Sequence, residues 1–579
     1  MLELSPCHKG YTRDLDKAVS PEQTVNHVRS VLDCSEGGLL EKTKRVDTGR
    51  LGIPVYLAVC GPKAREVMPT RKQMGKGASP AQAEASALME FIERYSLFSF
   101  LSQDDELRKL PRLTWTQARN RFGKALIPIR EILNSVHEEL SEEKAVQILD
   151  LMPWSFCSGY DLHTGREVFL PLDWFQAINE FNGSSAGNLA VESVLQGLCE
   201  LVERHVCARI DALQPNLPGI DPASFSNPVL HELYSAFVRN GIRVWLKDLS
   251  LDFDVPTVGA LAYDPATFPH SSEIVFTAGT ATSPDKAAIR ALTEVAQLAG
   301  DFESGSCYEP SGLGKFTRLE DCDWLRQGQV VPLSALPDMS HPDMAVELTR
   351  LAHMLQEHEY SAFIVDTTHP GLNIPAHYSI IPGFDFRERS THSSLGLFVG
   401  RILAEKRPLD DAWSGLQVLE SIYPNAHFLP FFQGLLTMRQ GRMQEAFDAF
   451  VQAEPLQPTA QDQAFAAFYQ AYCLSHEEKW QQMGPILSRA LDLAPDLHAL
   501  YNLRGVCFFK EHRYEQAIED FQAALRLDPG SAMDLANLGI CLKRAGKTRQ
   551  AVGYLQASLE LDPGLEAARS ELKDLLARE

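Results

Sequence analysis

Apolar residues in the last third of the chain recur at helical spacing, in pairs of short segments that repeat along the sequence. Cys473, Cys507 and Cys541 lie 34 residues apart, and Pro495, Pro529 and Pro563 keep the same interval. One unit carries Tyr501, Gly505, Phe508, Ala517, Phe521, Ala524 and Pro529, and the next carries Leu535, Gly539, Leu542, Ala551, Leu555, Ser558 and Pro563. Small residues where two helices cross, apolar residues three and four apart and a closing proline predict stacked helix hairpins. The register runs back through Ala471, Leu474, Leu487 and Ala490, then, after a three-residue insertion, through Gly434, Ala446, Phe450, Ala453 and Pro458. Gly400, Leu403, Ala412, Leu416, Leu419 and Pro424 fit more loosely. The pattern predicts four repeats over 427–565, a degenerate one over 393–426 and a capping helix to 579.

The first 390 residues repeat on a different plan. Gly75–Arg94 and Gly279–Gln297 align without gaps, matching Gly75 with Gly279, Ser79-Pro80 with Ser283-Pro284, Ala87-Leu88 with Ala291-Leu292 and Glu90 with Glu294. Serine followed by proline suits an N-cap and a first helical position. Ser184–Val206 follows the same plan, with Gly187 and Asn188 in its loop. Apolar runs introduced by proline recur at Ile53-Pro54-Val55 after Asp47-Thr48, at Val255-Pro256 after Asp248, and at Ile374-Pro375 after Asp366-Thr367. Proline suits the first residue of a strand. An α+β domain over 1–390 with an internal strand–helix pseudo-repeat is expected, followed by an all-α solenoid over 393–579.

Each of the three helices has an apolar stripe and a polar one. On the first, Leu88, Phe91, Ile92 and Tyr95 lie opposite Ser86, Glu90, Glu93 and Arg94. On the second, Leu198 and Val202 lie opposite Glu200, Glu203 and Arg204, and the third aligns Arg290, Glu294 and Gln297. A lone E-x-x-E-R is usually a solvated face laced with ion pairs. Here it recurs beside glycine loops in apolar surroundings, where ionised carboxylates need partners. If the helices converge, the glutamates repel one another unless cations enter, and magnesium wants oxygen ligands of this kind. Arginines and the loop amides near Gly77 and Gly187 would complete a polyphosphate site. No Walker or kinase signature is present, so the site is of another kind.

Composition sets the remaining bounds. The 579 residues exceed one compact core, and 45% hydrophobic with 22% charged residues is ordinary for a globular protein. A net charge of −22 argues against nucleic-acid or anionic-membrane binding through net charge. No apolar run is long enough for a membrane span, and the first residues lack the apolar core of a secretory signal. Eleven dispersed cysteines without a C-x-x-C pair indicate neither a disulfide framework nor a zinc site, and a cytoplasmic setting is expected. The recurring cysteines of the repeats read as small buried residues rather than a redox row.

The C-terminal pattern resembles the tetratricopeptide repeat (TPR), which implies a surface for a peptide or protein partner. The N-terminal motifs resemble the YcaO superfamily: Ser86, Glu90, Glu93 and Arg94, then Ser185, Asn188, Glu200, Glu203 and Arg204, then Glu294 and Gln297, over a stretch from about residue 40 to Gly383. The resemblance implies an ATP- and Mg2+-dependent enzyme that phosphorylates a peptide amide oxygen for attack by a nucleophile. The product is an azoline, a thioamide or a related group, or the enzyme assists methylthiolation of a ribosomal protein. It implies that Glu90, Glu93, Glu200, Glu203 and Glu294 hold magnesium. Ser86, Glu93, Ser185, Asn188, Arg204 and Gln297 would contact ATP, with Lys76 on a phosphate or the nucleotide. No general base stands out, and His369 and His377 read as structural or surface groups. Azoline-forming members often end in a P-x-P-x-P tail, whereas this chain ends KDLLARE. A sulfur-transfer or TfuA-like partner on the repeats, and a homodimer, are further implied partners. The alternative from another class is a non-catalytic ATP-binding TPR scaffold.

Overall fold

The computed structural model describes residues 5–34, 38–47, 49–102, 110–305, 308, 312–387, 393–528 and 530–577. Thr48, Pro529 and the last two residues of the expected capping helix lie outside the described residues. The chain forms two compact units, Met1–Ser393 and Ser394–Glu579.

Among the described residues, the N-terminal unit holds three sheets, each backed by one long helix. The first sheet joins β1 (Leu40–Arg45), β2 (Val55–Cys60) and β3 (Lys72–Lys76) in antiparallel order, and α2 (Pro80–Ser102) packs on it beside α1 (Pro21–Cys34). The second has six strands, β4 (Arg112–Leu113), β5 (Trp154–Asp161), β6 (Arg166–Pro171), β7 (Ser184–Ala186), β13 (Phe363–Asp366) and β14 (Ala376–Ile380). α3 (Leu172–Asn179) precedes β7, and α4 (Ala190–Leu213) follows it and packs on β7 and β14. The third runs β11-β10-β9-β8-β12, from β8 (Gly219–Asp221), β9 (Arg243–Asp248), β10 (Thr257–Tyr263), β11 (Val275–Thr280) and β12 (Val330–Pro332). Its helix is α5 (Pro284–Ala299), and α6 (Met344–Glu357) packs on α4. Strands β2, β10 and β14 each begin at the residue after the expected proline, as a ring without an N–H donor requires.

The pseudo-repeat has a physical basis in glycine. A Cβ on Gly75 would lie 2.0 Å from the Ala87 nitrogen, and one on Gly279 would lie 2.5 Å from the Ala291 nitrogen. Both strands therefore press directly on the backbone of the helix that follows. Leu88, Phe91 and Ile92 of α2 join the core with Ala58 and Cys60, while Leu292 and Val295 of α5 join Val258 and Val275. The two serine caps differ. The Ser79 hydroxyl accepts the Gln82 N–H at 3.2 Å, but Ser283 makes no side-chain cap, so the start of α5 rests on Pro284 and tertiary packing.

The C-terminal unit consists of helix hairpins. Leu395–Lys406 pairs with Leu409–Ile422, Phe428–Arg439 with Met443–Ala453, and Ala460–His476 with Trp480–Leu493. His498–Lys510 pairs with Tyr514–Leu527 and Ala532–Arg544 with Thr548–Leu561, and Glu566–Leu576 closes the stack. The small residues sit at helix crossings: a Cβ on Gly434, Gly505 or Gly539 would come within 2.8 Å of Phe450, Phe521 or Leu555. Cys473, Cys507 and Cys541 are buried, and burial pushes each thiol up to about 11, which suits packing rather than redox chemistry. Among the described residues, no helix is long and apolar enough to cross a membrane.

The glycine contacts give a stability test. Gly75→Ala and Gly279→Ala each lower stability by about 1–3 kcal/mol through overpacking. Gly553→Ala, in an exposed helical position with nothing within 4 Å, raises it by up to about 1 kcal/mol. Chemical denaturation of the three variants checks both signs.

Candidate functional site

The polar stripes of α2, α4 and α5 face one another across a cavity of about 380 Å³. Helical spacing explains the convergence. Ser86, Glu90 and Glu93 lie on one side of α2, and Glu192, Gln196, Glu200 and Glu203 on one side of α4, while the opposite sides are held in the cores. Lys76, Ser86, Glu90, Glu93, Asn188, Glu200, Glu203, Arg204, Glu294 and Gln297 all line the cavity. Ser185 does not. Its buried hydroxyl lies 3.4 Å from that of Ser193, which in turn contacts His377 Nδ1 at 3.0 Å. His377 is thus a buried structural group, and burial lowers its pKa to about 4.

Four of the five carboxylates have a direct partner. Glu294 pairs with Lys76, Glu200 with Arg204 at 3.6 Å, and Glu93 with Arg94 at 3.4 Å. The Ser184 hydroxyl donates to Glu93 at 2.6 Å and accepts from Arg94 at 3.1 Å. Glu203 accepts the Thr280 N–H of β11 at 2.8 Å. Burial and the neighbouring Glu200 raise the Glu90 pKa against the pull of Arg94 and Lys76. Burial lifts Glu93 to about 8, with Glu200 and Glu90 adding to the shift and Arg94 opposing it. Burial, together with Arg290, lowers Lys76 to about 7.

These features decide how a metal would fit. Among the described residues, no group of three or more His, Cys, Asp or Glu side chains is set to hold a metal alone. The site nevertheless offers hard oxygen donors from three helices, two of which hold protons more tightly than free carboxylates. Magnesium keeps few protein ligands and completes its shell with phosphate and water, so a metal entering with a polyphosphate suits this donor set. Arg204 and Arg290 supply positive charge in the same cavity, and Lys76 adds to it when protonated. At the second of the two loops the amides do less than expected, while Gly77 of the first lines the cavity. Gly187 donates its N–H to the Pro375 carbonyl and Asn188 donates to Glu192, so neither amide points freely to a ligand.

Several lining groups escaped the sequence reading. Glu192 and Gln196 were legible, because they continue the α4 stripe two turns toward the N-terminus. The segment from Asp14 to Pro21 was not, since nothing local marks it. It runs along the cavity, with Lys17 3.5 Å from Glu192 and the Ala18 N–H donated to Glu192 at 2.9 Å. Thr24 donates to the Asn188 side chain at 3.0 Å. Lys9 anchors the segment on Asp16 and the fully buried Glu347, at 2.7 and 2.6 Å.

Carboxylates and guanidinium groups from three helices thus meet the Lys76 amine in one cavity, a donor set that suits a metal together with a polyphosphate. The family model described as YcaO cyclodehydratase, ATP- and Mg2+-binding, matches residues 74–385, and the chain belongs to the YcaO family. The domain is therefore an ATP- and Mg2+-binding one, in a family that modifies peptide backbones. A tetratricopeptide-repeat model matches residues 498–531. The chain is 26% identical to an uncharacterised protein of Methanothermobacter thermautotrophicus over 398 residues, covering 64% of this chain and 95% of that one. It is 27% identical over 305 residues to an uncharacterised protein in the tfuA 3' region of Rhizobium leguminosarum bv. trifolii, covering 49% and 66%. A heterocyclase solved in complex with substrate and cofactor shares the fold, with a TM-score of 0.52 and 21% identity over 66% of this chain and 54% of that one.

The raised carboxylate at Glu93 fixes the sign of a pH effect. In metal-free protein its contribution favours the fold below the usual value of 4.5 and is lost as pH rises through about 8. Glu93→Gln removes that loss. In EDTA the variant gains stability over the wild type above pH 8, and the gain shrinks as pH falls toward the usual carboxylate range. Denaturation midpoints across pH check this, and a gain independent of pH contradicts it.

Proposed function

We propose that the protein activates a backbone amide of a peptide or protein substrate by ATP- and Mg2+-dependent O-phosphorylation, readying it for a nucleophile. The observation that supports this is the convergence of Glu90, Glu93, Glu200, Glu203 and Glu294 with Lys76, Arg204 and Gln297 on one cavity. When bound, ATP supplies the phosphoryl group that converts a poor oxygen leaving group into phosphate, and Mg2+ neutralises charge on the phosphates.

In this reading the five glutamates hold the metal directly or through water. Ser86, Asn188, Arg204 and Gln297 orient the nucleotide, and Lys76 places an ammonium against phosphate. Ser185 acts from behind, by fixing β7 through the Ser193–His377 contact. Ala186 of β7 and the segment at residues 14–21 line the site, where reduced exposure to water strengthens each charged contact. The tfuA neighbourhood of the Rhizobium relative supports thioamide formation with a TfuA-like partner, and azoline formation is the alternative product. The helical repeats would hold that partner or the peptide.

Glu90→Gln and Glu203→Gln each lower Mg2+-dependent phosphate release from ATP roughly 100-fold or more, with an unchanged circular dichroism spectrum. Wild-type turnover in either variant contradicts the assignment. Tight binding of Mg2+ and the ATP analogue AMPPCP, with no ATP turnover by any peptide and sulfur donor, would instead make the unit an ATP-sensing scaffold.

A further inference from the structure

The polar part of the cavity accounts for a nucleotide and a metal, but not for Phe181. This ring lies in the loop between α3 and β7, is 43% exposed and lines the cavity. Among the described exposed large apolar side chains of the N-terminal unit, Phe181 alone does so. One face is covered by the Arg94 guanidinium, 4.2 Å from the ring centroid. A single exposed ring at a surface needs no explanation, but one that lines a cleft with polar walls offers an apolar contact to a ligand held there.

The loop is built to hold the ring there. Glu180 adopts φ 53° and ψ −112°, a conformation that non-glycine residues rarely enter. Gly183 lies at φ 87°, and a Cβ on it would meet the Ser379 carbonyl at 2.4 Å. Tyr378 donates its hydroxyl to the Glu180 and Phe175 carbonyls at 3.1 and 3.2 Å, and the Ser184 N–H donates to the Phe181 carbonyl at 3.1 Å. Strain of this kind persists only where surrounding structure imposes it, and it concentrates at ligand clamps. The backbone that carries the ring is thus fixed, and the Arg94 guanidinium backs the ring itself.

Its position identifies the ligand. Arg94 reaches Glu93 through the Ser184 hydroxyl, so the ring stands one hydrogen-bonded step from a carboxylate assigned to the metal. A nucleotide base is separated from metal-bridged phosphates by the ribose. Apart from the phosphates themselves, what has to reach a metal-side carboxylate is the group that receives the phosphoryl, which is the peptide. We infer that Phe181, backed by Arg94, is a specificity subsite that takes an aromatic or apolar side chain of the peptide next to the amide to be activated. This rests on the function proposed above.

The test uses the full chain with Ac-Gly-Phe-Gly-NH2 and Ac-Gly-Asp-Gly-NH2 as probes, followed by saturation-transfer NMR, and Mg2+·AMPPCP followed by calorimetry. The phenylalanine peptide binds more tightly than the aspartate one. Phe181→Ala weakens it roughly five-fold, as loss of one ring contact predicts, and Phe181→Tyr retains it. All three proteins bind Mg2+·AMPPCP equally. The inference is overturned if the wild type binds neither peptide, if it does not discriminate between them, or if Phe181→Ala has no effect. It is also overturned if Phe181→Ala weakens Mg2+·AMPPCP as much as peptide, because the ring would then serve the base. Failure of the wild type to bind Mg2+·AMPPCP, with peptide discrimination intact, would instead overturn the proposed function.

Discussion

The N-terminal unit turns on one electrostatic constraint: glutamates from three helices share an interior where ionised carboxylates cannot stand alone. Four of the five find a direct partner, Lys76 for Glu294, Arg204 for Glu200, Arg94 and Ser184 for Glu93, and a strand amide for Glu203, while Glu90 is drawn by the charges of Arg94 and Lys76. Because the partners are distributed, the carboxylates do not close around a single point. A divalent cation gains too little from such a wall alone, and a polyphosphate meets too much negative charge there. On the proposed function the two would satisfy each other and the wall, so their binding is expected to be coupled.

The fold supplies the rigidity that this arrangement needs. Charged side chains are crowded at little cost in order only if the helices beneath them cannot retreat. Gly75 and Gly279 let β3 and β11 meet the backbones of α2 and α5, and α4 is buried along most of its length between the second sheet and α6. Glu192 then ties α4 to the segment at residues 14–21, so that part of the lining is fixed to the same helix that carries Glu200 and Glu203.

How much of this could be read from the sequence depended on whether the signal was local. The glutamates were legible because helical period places residues three and four apart on one face, and because the pattern recurred with its glycines. The solenoid was legible for the same reason, through Gly505, Gly539 and the cysteines at matching positions. Ser185 lies outside the cavity lining because a strand alternates its faces: β7 turns Ser184 toward Glu93 and Ser185 toward Ser193. Phe181 and the segment from Asp14 to Pro21 depend on loop geometry and on contacts with residues far along the chain. No period or motif encodes those.

Location of the cation tests the account most directly. Crystals grown with Mn2+ and AMPPCP would be measured at the manganese absorption edge. The account predicts an anomalous peak in the cavity, between the nucleotide's phosphates and glutamates of both α2 and α4. A nucleotide bound there with no such peak, or manganese held elsewhere while the glutamates keep their present lysine and arginine partners, would contradict it.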